Sequence, residues 1–456
     1  MTIVDLPAFE GDAAPKPLDW DLDRERERRR EYLSPSLATF QAYERPLMLK
    51  RGSMQYLYDE QGKEYLDLIA QNVCISVGHS HPVVNEAVRK QMDELVHCTT
   101  MWMHPSAAAL GEELIAKMPD GSDWVVHLVN SGAEAIDLAM LMARAHTGST
   151  DLIALRRAYH GLHFGAATLS GLASCHQPTV AAPGSHHVSP PDQYRGIYGP
   201  DLDPYLAELN ATIESSTDGT LAGFIYEPIQ GFGGVTPLPA EYIDRAAERV
   251  RDSGGLIIAD EVQTGFGRTG VNFWGFEIAA TVPDIVVMAK GIGNGFPLAA
   301  VVSRREVAES ITGSKFFNTY GSNPTVCAAG RAVLSVIDSE ELQQNSAEVG
   351  GQLRDGLRET AASFEFIGDV RGRGLMLGLD IVTDASSREP APAVAAAIHE
   401  GLRDEGLILS RSGAYGNVLR LLPPMCIGRE DVERVTNGLK KVCAGIDPEQ
   451  ITGASA

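Results

Sequence analysis

From His81 onward, short runs of apolar and β-branched residues alternate with amphipathic stretches. The runs are Val125–Val129, Leu152–Leu155, Leu221–Tyr226, Gly255–Ala259, Asp284–Met288 and Leu298–Val302. Strands covered on both faces are continuously apolar rather than alternating. Interleaved with helices, they predict a mainly parallel sheet in an α/β fold. Ahead of them, Leu47, Leu49, Tyr56, Tyr58, Tyr65 and Leu66 come in bursts. Gly52 and the turn Asp59-Glu60-Gln61-Gly62 punctuate these bursts and predict a small antiparallel sheet. Beyond Thr325 one long helical pattern runs to about Ala361. The runs Phe364–Val370 and Leu375–Ile381, a helix near Ala393–Glu405 and the run Val418–Leu422 then make an α+β tail. The expected division is a flexible leader over 1–19, an N-terminal segment over 20–80, a large domain over 81–324 and a small α+β domain over 325–456.

A chain of 456 residues, 44% hydrophobic and 21% charged, is long and apolar enough for such a core. That composition excludes a disordered chain and a disulfide-stapled scaffold. The net charge of −22 argues against nucleic acid or an anionic membrane as partner. The tract Arg24-Glu25-Arg26-Glu27-Arg28-Arg29-Arg30 is interleaved with acids and predicts a solvated helix face. Six scattered cysteines without a C-x-x-C pair predict reduced thiols. No secretory signal and no apolar run of bilayer length is visible, so the expected setting is cytoplasmic. The pairs His79 and His81, His160 and His163, and His186 and His187 lack ligand-spaced acids or thiols, so no metal is expected.

Parallel sheets present functional groups at the carboxyl ends of their strands. The first such end is Asn130-Ser131-Gly132-Ala133-Glu134-Ala135, opening a helical run. Backbone N–H groups converging there suit a phosphate, although Ser131 would equally serve as a plain helix cap. The second is Asp260 after four apolar residues: either a cap or core ion pair, or the partner of a protonated ring nitrogen. The third is Lys290, at the end of Asp284–Ala289, either snorkelling to solvent or desolvated for nucleophilic work. Gly291-Ile292-Gly293-Asn294-Gly295 is glycine-rich, but its spacing is not that of a dinucleotide loop and Pro297 interrupts any helix. Tyr159-His160-Gly161 offers an aromatic for stacking on a flat ring. Arg420 lies inside an apolar run, as a structural ion pair or as a carboxylate-binding fork. Pyridoxal 5′-phosphate needs such a set: a lysine to hold its aldehyde as a Schiff base, an acid for its ring nitrogen, a phosphate cradle and a stacking ring.

The segments Asn130–Ala135, Glu227-Pro228-Ile229-Gln230-Gly231, Ile258–Gly270, Pro283–Pro297 and Thr319–Pro324 resemble those of class III aminotransferases on the fold-type I scaffold. The stretch Ala259–Arg268 through Phe273-Trp274-Gly275-Phe276 to Met288–Pro297 is most similar to the alanine–glyoxylate branch. The resemblance implies that Lys290 forms the Schiff base and shuttles a proton, with Asp260 as the ring-nitrogen partner. It implies that Ser131, Gly132 and Ala133 cradle the phosphate, that Tyr159 stacks, and that Gln263 contacts the ring oxygen. Glu227 is placed near the cofactor. Thr319 is implied to bind the phosphate of a neighbouring subunit, so the active unit is a homodimer or a higher homo-oligomer. Arg420 is implied to bind the substrate α-carboxylate, with Phe232, Asn72 and Trp102 as further pocket residues.

Two positions depart from the pattern. Phe232 stands where many members carry a glutamate that gates the arginine, and Ser322 stands where glycine is usual. The implied reaction is a ping-pong transfer from alanine or a β- or ω-amino acid to a small 2-oxo acid such as pyruvate or glyoxylate. The alternative is a lyase, aminomutase or epimerase on the same scaffold.

Overall fold

Buried strands ending in polar or charged residues build the centre of the molecule. The computed structural model describes residues 17–119, 121–173, 183–314, 316–448 and 451. The expected leader, up to Lys16, and Cys175 lie outside them. The central sheet has seven strands in the order Trp124–Val129, Ala299–Arg304, Ile285–Met288, Leu256–Asp260, Gly223–Tyr226, Leu152–Leu155 and Ser185–Val188. All neighbours pair in parallel except around Ala299–Arg304, which is antiparallel to both of its neighbours. Ile285–Met288, Gly223–Tyr226 and Leu152–Leu155 are buried at every position, which is why they read as unbroken apolar runs. The edge strand Ser185–Val188 is only half covered, and its Ser-His-His gives no apolar run to find.

The antiparallel ladder Leu49–Ser53, Tyr56–Asp59 and Glu64–Asp67 forms as expected. A fourth strand from far along the chain, Leu407–Ile408, joins it in parallel. The C-terminal sheet runs Ile367–Arg373, Met376–Ile381, Val418–Leu421, Ser410–Ser412, with antiparallel pairing throughout. The helical stretch read as continuous over 325–361 is two helices, Pro324–Ser339 and Leu342–Ala361. They part at Glu341, whose φ of 52° lies in the left-handed region. The first packs on the helices Pro82–Glu94 and Pro105–Ile115, the second on Arg429–Ala444 and Ile367–Arg373. Ends with different partners impose a break that helical periodicity alone does not signal. The arginine-rich tract forms the helix Leu22–Tyr32, capped by Asp21, and none of its residues is buried.

Candidate active site

Four adjacent strands of the central sheet deliver polar groups to one cleft at their carboxyl ends, as a parallel sheet dictates. The cleft measures about 370 Å³, and its lining includes Ser131, Gly132, Tyr159, Asp260, Gln263 and Lys290. Asp260 ends its strand 4% exposed. Its Oδ2 meets His160 Nδ1 at 2.7 Å, and its Oδ1 accepts the Val262 N–H at 3.0 Å. A carboxylate has about four acceptor positions, so two remain. Lys290 follows Ile285–Met288 and takes a φ of 51°, a conformation costly for a side-chain-bearing residue. Burial, helped by the charge of Arg420, holds its pKa below the ordinary lysine value, which favours the neutral amine.

Ser131 caps the helix Gly132–Thr147, its Oγ accepting the Glu134 N–H at 3.2 Å. Capping leaves the Gly132 and Ala133 N–H groups without an acceptor among the described residues, at the positive end of the helix dipole. Cap and anion site are therefore compatible at one residue. Gly161, at φ 116°, closes the adjacent wall; a Cβ there would lie 2.7 Å from Ala133 Cβ. Tyr159 is fixed through its backbone, its N–H donating to Glu227 Oε1 at 2.9 Å. Glu227 Oε2 accepts the Gly231 N–H, also at 2.9 Å, and burial pushes the Glu227 carboxyl above its ordinary pKa.

Arg420 is 2% exposed and has no carboxylate partner among the described residues. Its Nη2 donates to Gln263 Oε1 at 2.8 Å, its guanidinium stands 5.7 Å from the Phe232 ring, and its Nε is unpartnered. Burial lowers its pKa to about 10, which leaves it charged at neutral pH. Glu227 offsets that burial only in part and without contact, and a buried cation so poorly balanced is relieved by an anionic ligand. Cleft, anion-ready helix start, desolvated amine, free carboxylate positions and orphaned guanidinium together fit pyridoxal 5′-phosphate and a carboxylate-bearing substrate.

The family model for class-III aminotransferases matches residues 39–443. The chain belongs to the class-III aminotransferases. It is 45% identical to "Alanine--glyoxylate aminotransferase 2 homolog 2, mitochondrial" of Arabidopsis thaliana, over 89% of this chain and 84% of the relative. An Arthrobacter phospholyase solved with phosphoethanolamine superposes with a TM-score of 0.86 at 36% identity, covering 92% of this chain and 99% of that one. An amine transaminase from an uncultivated Pseudomonas species, in its pyridoxal-phosphate-bound form, does so at 0.83 and 31%, covering 91% and 97%. This aminotransferase is an enzyme of amino-group transfer, with pyridoxal 5′-phosphate as its cofactor.

Within the aminotransferase, Lys290, Asp260, Ser131, Gly132, Ala133, Tyr159, Glu227 and Gln263 share the inner cleft. Arg420, Phe232 and Asn72 line an adjoining outer chamber. Thr319 and Trp102 line neither; Thr319 is exposed and Trp102 is 71% exposed. Ser322 has a φ of 70°, where glycine would carry no steric cost. The functional residue that the sequence concealed is His160. It belongs to a histidine pair from which no metal is expected, and only the fold brings it to Asp260 across 100 residues. Its signal was its place beside Tyr159, one residue on from a group already assigned to the cleft.

Proposed function

We propose that this aminotransferase moves an amino group from alanine or a β- or ω-amino acid to a small 2-oxo acid such as pyruvate or glyoxylate. Arg420 is the single observation that carries this reading: a buried, unpaired guanidinium beside Lys290 suits an α-carboxylate held with its amine toward the lysine. The name of the Arabidopsis relative supports alanine and glyoxylate as one such pair. When bound, the cofactor supplies an electron sink for the pair released at the substrate Cα.

The chain's own residues do the rest. Lys290 Nζ, whose neutral form burial favours, would hold the cofactor covalently and would serve as the base for the substrate Cα proton. Asp260, oriented by His160 and the Val262 N–H, keeps the ring nitrogen protonated. Gly132 and Ala133, with Ser131 beside them, would hold the phosphate through their N–H groups, and Tyr159, in the same cleft, would pack against the ring. Glu227 positions Tyr159 through its backbone. Gln263, expected only at the ring oxygen, also accepts from Arg420, and so couples the ring site to the carboxylate site.

The same proposal includes a homodimer whose partner supplies Thr319 to the phosphate. Support comes from exposed apolar side chains on two linked segments, Met101, Trp102 and Met103 with Phe317 and Tyr320. His97 and Asn323 tie the segments together. A contiguous apolar surface of this kind marks an interface. A cytoplasmic setting is proposed on the free thiols of Cys74, Cys98, Cys327, Cys426 and Cys443.

Incubation with alanine and glyoxylate is expected to yield pyruvate and glycine in equal amounts; ammonia in their place indicates a lyase. Lys290→Ala is expected to abolish transfer, and borohydride reduction of the wild type should leave the cofactor's mass on the Lys290 peptide. A variant with near-wild-type turnover overturns the assignment.

A further inference from the structure

Beyond Arg420 and Phe232 the cleft adjoins an outer chamber of about 950 Å³. The helix Leu22–Tyr32 forms its far wall. Leu22, Glu25, Arg26 and Arg29 lie at the i, i+3, i+4 and i+7 positions of one helical face and line the chamber. They are the half-buried residues of a helix otherwise exposed along its length. Two of the four are arginines: Arg29 ties the helix to the Leu37 carbonyl, whereas Arg26 makes no hydrogen bond among the described residues.

The charge balance inside is opposite to that of the protein. Five arginines line the chamber against two acids, Asp19 and Glu25, in a chain of net charge −22. Asp19 is already engaged by Arg24 at 2.7 Å. Arg29 donates to a neutral acceptor, the Leu37 carbonyl, at 2.9 Å, and Arg26 is 3.7 Å from its nearest acid, the exposed Asp23. Arg411 contributes less, because the strand register sets it opposite Leu419 and so on the face away from Arg420. The lining also includes the apolar side chains of Leu22, Leu47 and Ile69. Cations gathered along one chamber attract anions.

We infer that the outer chamber is a second anion subsite. While Arg420 receives the α-carboxylate, Arg26 and Arg29 receive a carboxylate or phosphate at the far end of the donor's side chain, and the apolar lining contacts the methylenes between. The donors then extend from alanine to amino acids bearing two separated anions, and transfer from these leaves an equally dianionic oxo acid for a following reaction. This inference rests on the aminotransferase reading of the inner cleft.

The test is isothermal titration of the holoenzyme with straight-chain dicarboxylates of four to eight carbons, against monocarboxylates of equal length. At the length that spans the two subsites, the dicarboxylate is expected to bind about tenfold more tightly, the worth of one charge-assisted contact. An ω-phosphonocarboxylate of that length tells phosphate from carboxylate at the far end. In Arg26→Gln/Arg29→Gln the dicarboxylate-to-monocarboxylate ratio is expected to fall to about one. Arg26→Gln alone, which removes no hydrogen bond from the fold, is expected to lower it partway. Equal binding of both series at every length, or a preference that survives in the double variant, overturns the inference. Conversion of the cofactor by alanine is followed separately by absorbance. Its failure would bring down the proposed alanine donor, whereas its success with equal titrations would bring down the subsite alone.

Discussion

Arg420, in the outer chamber, and Lys290, in the inner cleft, are two buried cations, and the arginine acts on the lysine. The arginine helps depress the pKa of the lysine, after burial itself. Replacing Arg420 by Ala therefore has two separable effects. The α-carboxylate loses a charge-assisted partner, so kcat/KM for alanine is expected to fall about a hundredfold, while a carboxylate-free amine such as isopropylamine falls far less. Lys290 also loses a neighbouring positive charge, which favours its protonated form and raises its pKa. The rate at which apoenzyme captures pyridoxal phosphate, which needs the neutral amine, should then show its midpoint at higher pH in Arg420→Ala than in wild type. Equal losses for both amines would remove the carboxylate role, and an unmoved midpoint would remove the coupling. Lys290, Asp260 and Arg420 were legible in sequence because each ends or interrupts an apolar run, where a charge stands out. His160 was not, since its role exists only through a contact across 100 residues.

At the scale of elements, the strands were legible wherever burial on both faces made them continuously apolar, as in Ile285–Met288. They were hidden where an edge left them polar, as in Ser185–Val188. The segment Ala70–Val73 was legible to neither rule. It is a turn in which Ala70, Gln71, Asn72 and Val73 all have φ between 48° and 66°, with no glycine among them. Hydrogen bonds from Val73 N to Ile69 O and from Ile75 N to Ala70 O hold it, and it forms the wall between the cleft, at Cys74, and the outer chamber, at Asn72. Left-handed geometry costs about 1–2 kcal/mol for each such residue, so tertiary packing, not local preference, imposes it. Gln71 is exposed and its side chain makes no hydrogen bond among the described residues. Gln71→Gly is therefore expected to stabilise the protein by about 1 kcal/mol, seen as a rise of about 1 °C in Tm. Gln71→Pro, which cannot adopt positive φ, should destabilise it by more. A lower Tm for the glycine variant would show that the turn is not strained at this position.

For the molecule as a whole, the question is whether one chain holds a complete site. Ser131, Gly132 and Ala133 face the cleft, but Thr319 does not, and it sits beside Phe317 and Tyr320 on the exposed apolar surface. If two copies meet on that surface, Thr319 serves the partner's phosphate and the two sites are interdependent. Mixing inactive or weakened variants distinguishes the arrangements. In a hybrid of Lys290→Ala with Thr319→Ala, the chain that keeps Lys290 receives an intact Thr319 from the other, so one native site forms in each hybrid. After subunit exchange to random pairing, activity at limiting pyridoxal phosphate is expected to recover to about a quarter of wild type, since half the dimers are hybrids with one native site of two. Were Thr319 to serve its own chain, the Lys290→Ala chain would remain inactive and the Thr319→Ala chain would remain weak, and mixing would restore nothing. The same outcome follows if Met101, Trp102 and Met103 face solvent in the working enzyme, and sedimentation of the wild type as a monomer would then identify that cause.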